Sequence, residues 1–297
     1  MASSPDDALV PRYRHVLVPL DGSDLARGAV PTAAALAERF GADVHAVSVV
    51  DDRDDTAAAR LHASEAIGVP PDDDRIDVTM GGDPAAAIAR RADELGDCLV
   101  CLSSHGRGRL AGAVVGSVAR AVLQATRRPV VVVGPALAEP DPESEAPPPP
   151  LAVPRLVACV DGGTTSEAVL PVAGAWARTL GMALSIVTVA EPTPPPNRPG
   201  APWHRLHGPA EDADAYVGRL ATRWREAAGT EVDGRAVEDP IGPADGLEVH
   251  LREHPAGLVA LTTHAREGLR RVVLGSGAAA IISRSSAPVL VVPLERS

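Results

Sequence analysis

The chain has 297 residues, enough for two ordinary α/β domains, and it is 45% hydrophobic although only 2% aromatic. All 28 basic residues are arginine, which excludes sites that need a lysine, such as a Walker A loop or a Schiff base. The net charge is −11 and neither half is basic, which argues against a nucleic-acid partner. The sequence has no membrane-length apolar run and no signal-peptide pattern at its start, so we expect a cytoplasmic protein with no membrane partner.

Strand and helix patterns alternate along the first half. Short apolar runs predict five strands, at residues 15–20, 44–50, 75–80, 98–102 and 130–133. Helices are predicted at 25–40, from 84 to about 96 and after Gly116, with one weak helix in the polar segment 51–71. This order predicts a doubly wound parallel sheet that binds ligands at the carboxyl ends of its strands.

The second half repeats this plan. A shift of 140 residues maps Asp21 onto Asp161, and a shift of 159 maps Gly116 onto Gly275. The 19 additional residues are expected between the second and third strands, where residues 191–209 form a Pro-rich insertion. The predicted organisation is therefore a first domain at 1–134, a Pro-rich acidic linker at 135–153 and a second domain at 154–297.

One cysteine pattern and one histidine pattern resemble metal-binding motifs, but we predict no metal site at either. Cys98 and Cys101 form a C-x-x-C spacing, yet residues three apart on a strand point to opposite faces, so we predict that both are core residues. His250 and His254 match an H-x-x-E-H zinc motif. Because the repeat places them on an ordinary connecting helix with no third ligand, we predict no metal site there.

The stretch between the fourth strand and the next helix is the strongest candidate site. The apolar run ends at Ser103, a loop containing Gly106, Arg107 and Arg109 follows, and a new helix is predicted from Ser117. Free amides at a helix N-terminus, close to arginines, form a natural binding place for a phosphate. A simple strand–loop–helix connection would use the same glycines for turning. The residues by themselves leave both interpretations open.

Three motifs resemble those of the universal stress protein family, in a tandem arrangement. They are V-L-V-P-L-D-G-S at 16–23, S-S-H-G-(nine residues)-G-S at 103–117 and R-P-V-V-V-V at 128–133. ATP-binding members of that family carry Gly-x-x-Gly-(nine residues)-Gly-Ser/Thr. Here Ser103 replaces the first glycine, and in the second half Thr262 and Ala265 replace both leading glycines.

The resemblance implies two tandem domains of the adenine nucleotide alpha-hydrolase-like fold, each with a five-stranded parallel sheet. It implies ATP, with or without Mg²⁺, as the ligand of the first half. Asp21 would accept a hydrogen bond from the adenine amino group, although D-G-S-D is equally the pattern of an Asx turn and helix cap. The implied nucleotide-binding residues are Pro19, Leu20, Asp21, Val49, Leu102, Ser103, His105, Gly106, Arg107, Gly116, Ser117 and Val118.

The leading functional hypothesis is therefore a nucleotide-binding regulatory protein of the stress response, with no catalytic residue. Two alternatives are a slow ATPase and a nucleotide-free dimerisation or interaction module. We expect one tight ATP site per chain, in the first half, because Ala265 would place a methyl group where phosphate approaches. The fifth strands of the two halves should also pair within the chain as an internal pseudo-dimer, and a homodimer is left open.

Overall fold

The structure is a computed structural model that describes residues 11–105, 115–138, 149–190, 212–239, 241–263 and 274–293. Ten strands form one sheet in the order β3-β2-β1-β4-β5-β10-β9-β6-β7-β8. Each half contributes five parallel strands, as the sequence predicts. The strands are β1 (His15–Pro19), β2 (Asp43–Val50), β3 (Ile76–Met80), β4 (Cys98–Ser103), β5 (Val130–Val133), β6 (Arg155–Cys159), β7 (Ala183–Ala190), β8 (Val232–Glu238), β9 (Leu258–Thr262) and β10 (Val289–Val292).

Helices cover both faces of the sheet. In the described residues of the first half they are α1 (Asp24–Arg27), α2 (Val30–Phe40), α3 (Asp55–Ile67), α4 (Pro84–Leu95), α5 (Ser117–Ala125) and α6 (Pro135–Ala138). Those of the second half are α7 (Thr164–Glu167), α8 (Val169–Leu180), α9 (Ala213–Ala228), α10 (Pro243–Glu253) and α11 (Ser276–Arg284). None of the helices in the described segments combines the length and the apolar character that a membrane crossing requires.

The predicted helix over 25–40 is wrong in one respect, because the structure divides it into α1 and α2. Pro31 has no N–H to donate to the carbonyl of Arg27, and its ring would collide with that carbonyl, so α1 cannot continue into α2. The second half repeats the break between α7 and α8, where Pro171 stands four residues after Glu167.

The repeat shift also needs a small correction. Ala46 pairs with Ile76 in the first half, and its counterpart Ile186 pairs with Gly234, so the shift at the third strand is 158. It reaches 159 only at the following helix, where Pro84 corresponds to Pro243. One of the 19 additional residues therefore follows the third strand. The Pro-rich insertion and most of the linker lie outside the described residues.

The two halves join through β5 and β10, which confirms the predicted pairing. The strands run antiparallel, with Val131 opposite Leu290, and all of their residues are buried. An apolar edge strand leaves a row of backbone donors and acceptors without partners, and each of these strands supplies the partners for the other. Cys98 and Cys101 lie in the hydrophobic clusters on opposite faces of the sheet, also as predicted. Burial raises the pKa of both thiols.

Candidate nucleotide site

A cavity of about 280 Å³ lies at the carboxyl ends of β1, β2 and β4, beside the first turn of α5. We call it the first cavity. Ten of the twelve sequence-predicted site residues line it, and Gly106 and Arg107 lie outside the described residues. The ten are Pro19, Leu20, Asp21, Val49, Leu102, Ser103, His105, Gly116, Ser117 and Val118.

The turn after β1 holds Asp21 at the rim of the first cavity. One carboxylate oxygen of Asp21 accepts hydrogen bonds from the Ser23 amide at 3.0 Å and from the Ser23 hydroxyl at 2.6 Å. The Ser23 hydroxyl in turn accepts from the amide of Ala26 and caps α1. Gly22 allows this turn with φ of 83°, which side chains rarely adopt. Asp21 therefore forms the turn and also lines the cavity, while Ser23 provides the helix cap.

The opposite wall follows β4. The backbone of Ser104 bridges two elements, because its N–H donates to Val133 at 2.8 Å and its carbonyl accepts from the Gly116 N–H at 2.7 Å. The Ser104 hydroxyl lies 2.9 Å from His105 Nδ1. The imidazole is consequently held in one orientation next to the cavity.

The first turn of α5 offers backbone amides to the cavity. Gly116 is the N-cap residue, and within the described part of the chain no side chain caps these amides. The helix begins at Ser117, as predicted, and Ser117 is exposed. Uncapped N–H groups at the positive end of a helix dipole are suited to an anion such as phosphate.

Gly116 also has a structural reason to be glycine. A β carbon at this position would lie 3.0 Å from the carbonyl oxygen of Ser104, tighter than ordinary packing allows. A larger residue here would displace the backbone of Ser104, directly after β4. Substitution of Gly116 would therefore alter the protein backbone as well as the space available to a ligand.

Sequence reasoning missed the wall that α4 provides. Pro84 and Ile88 line the first cavity, together with Val47 from β2. The two α4 residues are four positions apart, which places them on one face of the helix. The sequence predicts the boundaries of α4 correctly. The four-residue spacing of these two apolar residues, close to the strand ends, could therefore have identified this wall.

A second cavity of about 430 Å³ occupies the equivalent place in the second half, at the ends of β6, β7 and β9 beside α11. Asp161, Val189, Thr262 and Gly275 line it, in the positions of Asp21, Val49, Ser103 and Gly116. His264 and Ala265 lie outside the described residues.

His250 lies near the end of α10, and His254 directly follows that helix. The rings of His250 and His254 are 5.0 Å apart, and the described residues contain no group of three or more His, Cys, Asp or Glu that could hold a metal ion. Burial lowers the pKa of His250, with the neighbouring His254 as the next cause.

A family model decides the relationship of this chain to known proteins. The model of the Universal stress protein family matches residues 12–134 and matches again at residues 153–293. The chain belongs to the universal stress protein family. Each match contains one complete five-stranded unit of the sheet.

Similar proteins include members of the same family. Universal stress protein Rv2005c of Mycobacterium tuberculosis is 33% identical over 144 residues, and the match covers 43% of this chain and 48% of the relative. The chain thus spans about half the length of the curated relatives it matches. A universal stress protein from Archaeoglobus fulgidus has a similar structure, with a TM-score of 0.63 at 18% identity over 96% of this chain and 98% of that one. Protein PA1789 from Pseudomonas aeruginosa, described as functionally unknown, gives 0.61 at 17% identity over 97% and 94%. At these identities the two structures show a shared fold.

Proposed function

We propose that this universal stress protein binds an adenine nucleotide, with ATP as the leading candidate, in the first cavity. The observation that carries the proposal is the convergence of ten motif residues, from three strand ends and one helix start, on one cavity. A regulatory role in the stress response and a cytoplasmic location belong to the same proposal.

The lining residues have the chemistry that such a ligand needs. Val47, Val49 and Ile88 offer apolar surface to a planar base, while Asp21 carries an acceptor for an amino group. The phosphates would reach the uncapped amides of α5 beside Ser117. Mg²⁺, where present, would be held chiefly by those phosphates and by water, because the described residues provide no carboxylate cluster.

A charge placed at Ser117 tests the proposal while the fold is retained. Aspartate in the first turn of a helix is favourable for the helix dipole, so Ser117→Asp should leave α5 intact. The same carboxylate would repel phosphate, and we expect at least a ten-fold loss in ATP affinity, equivalent to about 1.4 kcal/mol, by titration calorimetry.

Ser276→Asp is the matched control, because Ser276 is the exposed first residue of α11 in the second half. Wild type should bind about one ATP per chain, and Ser276→Asp should bind it with unchanged affinity. Absence of ATP binding by the wild type would contradict the proposal. Loss of binding in Ser276→Asp alone would show that the nucleotide binds in the second half and not in the first.

A further inference from the structure

A groove of about 560 Å³ follows the outer edge of β8, the strand at one end of the sheet. We call it the β8 groove. Consecutive residues from Asp233 to Val237 line it, together with residues of two helices that pack on opposite faces of the sheet. The helix side contributes Asp214 of α9 and, at and after the end of α10, Val249, His250, Glu253 and His254. Because it reaches both faces, the groove lies where a further strand could join the sheet.

The backbone of β8 directs hydrogen-bonding groups into this groove. In the described sheet β8 pairs with β7 alone. The amide of Leu184 on β7 donates to the carbonyl of Glu231, so the odd-numbered residues along β8 direct their N–H and C=O groups toward β7. Val232, Gly234 and Ala236 consequently direct theirs outward. A row of such groups on an outer strand can pair with another strand.

The charges on β8 are complementary to those of a second, antiparallel β8. Asp233 and Arg235 lie on one face of the strand, with Arg235 Nε 3.2 Å from Asp233 Oδ2, and their side chains are 43% and 44% exposed. A two-fold axis at Gly234 would place Asp233 of each copy opposite Arg235 of the other, and the outward backbone groups of the two Gly234 residues opposite each other. Moving the axis by one residue would place like charges directly opposite, which is destabilising. The charges therefore favour one register.

The equivalent edge of the first half, β3, is less suited to this pairing. Ile76 corresponds to Gly234 in the repeat, and it is the first residue of β3. An axis at Ile76 would thus require residues before the strand to pair. The Arg91 guanidinium already occupies a backbone acceptor there, because its Nη2 donates to the carbonyl of Asp74 at 3.5 Å.

The second half has replaced the arginines that border the β3 edge. Val249 and His250 of α10 stand where the first half has Arg90 and Arg91. Val249 is 44% exposed, although it lines the groove. His250 is only 5% exposed, and its buried Nε2 has no hydrogen-bond partner among the described residues. An apolar side chain in contact with water and a buried polar atom without a partner are features that a docked chain would cover.

We propose that the β8 edge is an interface between two copies of this chain, joined by antiparallel β8–β8 pairing about Gly234. Backbone hydrogen bonds from Val232, Gly234 and Ala236 supply the attraction, and the Asp233–Arg235 pairs select the register. The sheets of the two copies then form one continuous sheet across the interface. This contact is separate from the β5–β10 pairing, which lies within one chain.

Charge reversal tests the proposal on the full chain, in sedimentation velocity runs over a concentration series without nucleotide. We expect a reversible dimer for the wild type. Asp233→Arg and Arg235→Asp each place like charges opposite each other, and each should weaken dimerisation at least ten-fold. An equimolar mixture of the two variants should recover the dimer, because every opposed pair is then one arginine and one aspartate. Both positions are well exposed, so circular dichroism should show folded variants.

Asp77→Arg is the matched control, because Asp77 holds the position of Arg235 on the opposite edge of the sheet. This variant should dimerise as the wild type does. A monomeric wild type would overturn the proposal, as would undiminished dimerisation of both β8 variants. Failure of their mixture to dimerise would overturn the proposed register, and loss of the dimer in Asp77→Arg alone would assign the interface to β3. None of these measurements depends on nucleotide binding, so this proposal and the proposed function fail separately.

Discussion

The phenyl ring of Phe40 packs edge to face against the indole ring of Trp176, with ring centroids 5.2 Å apart and ring planes at 79°. Phe40 ends α2 of the first half and Trp176 lies on α8 of the second, so this contact crosses between the halves. Tyr13 contacts both rings, at 5.1 and 5.7 Å. Three of the six aromatic residues of the chain thus meet at one junction. The Arg39 guanidinium adds a hydrogen bond to the carbonyl of Leu180 at 2.9 Å.

Truncation of Trp176 should weaken this junction strongly. The side chain is only 1% exposed, and Trp176→Ala removes a large buried volume together with both ring contacts. We expect the free energy of unfolding to fall by about 3–5 kcal/mol in urea titrations followed by circular dichroism. Trp224→Ala is the control, because Trp224 is only partly buried and should cost less. Equal losses in the two variants would contradict a special role for the aromatic junction.

A second contact between the halves depends on the absence of a side chain. Gly134 directly follows β5, and a β carbon there would overlap the carbonyl oxygen of Ile282 on α11. We expect Gly134→Ala to lower the free energy of unfolding by about 1–3 kcal/mol, the usual cost of overpacking. Gly218→Ala adds the same methyl group to an open position of α9 and should be neutral or stabilising, by up to about 1 kcal/mol. Thermal and urea unfolding of the two variants would show whether their effects have the same sign.

Acid should destabilise the chain partly through His45. Burial, followed by the neighbouring His15 and Arg91, lowers the pKa of His45 to about 4, while Asp43 acts in the opposite direction. His15 Nδ1 and His45 Nε2 are 3.0 Å apart. Between the ordinary histidine pKa of about 6.5 and this lowered value, the unfolded chain binds a proton that the folded chain does not. Stability is therefore retained above about pH 6.5 and falls as the pH decreases toward 4.

His45→Gln isolates this contribution. Between about pH 7.5 and pH 5, the free energy of unfolding should fall by about 2 kcal/mol less in the variant than in the wild type. Urea titrations of both proteins at the two pH values provide the measurement. Contributions of groups that do not interact with His45, such as His250, whose pKa is also lowered, are common to both proteins and cancel. An identical pH dependence in the two proteins would show that His45 takes no part.

The order of elements is determined by local sequence, and the sequence alone predicts it well. The apolar runs of β1 to β5, the N-cap Asp83 before α4 and the left-handed Gly41 after α2 each act within a few residues of the chain. The internal repeat then carries the same plan to the second half. The family motifs similarly identified the residues at the strand ends that line the first cavity.

Other features depend on residues that are far apart in the sequence, and only the tertiary structure decided them. Two close backbone contacts, of Gly116 with Ser104 and of Gly134 with Ile282, depend on how the helices pack against the sheet. The size of the second cavity depends on the packing of three strands and three helices, which together form its walls. Pairing patterns and propensities are properties of single segments, whereas a cavity volume or a backbone clash depends on the packing of several segments at once. That packing is the physical reason why the sequence determined the fold and the rim of the first cavity, while the sizes of the two cavities emerged only from the folded chain.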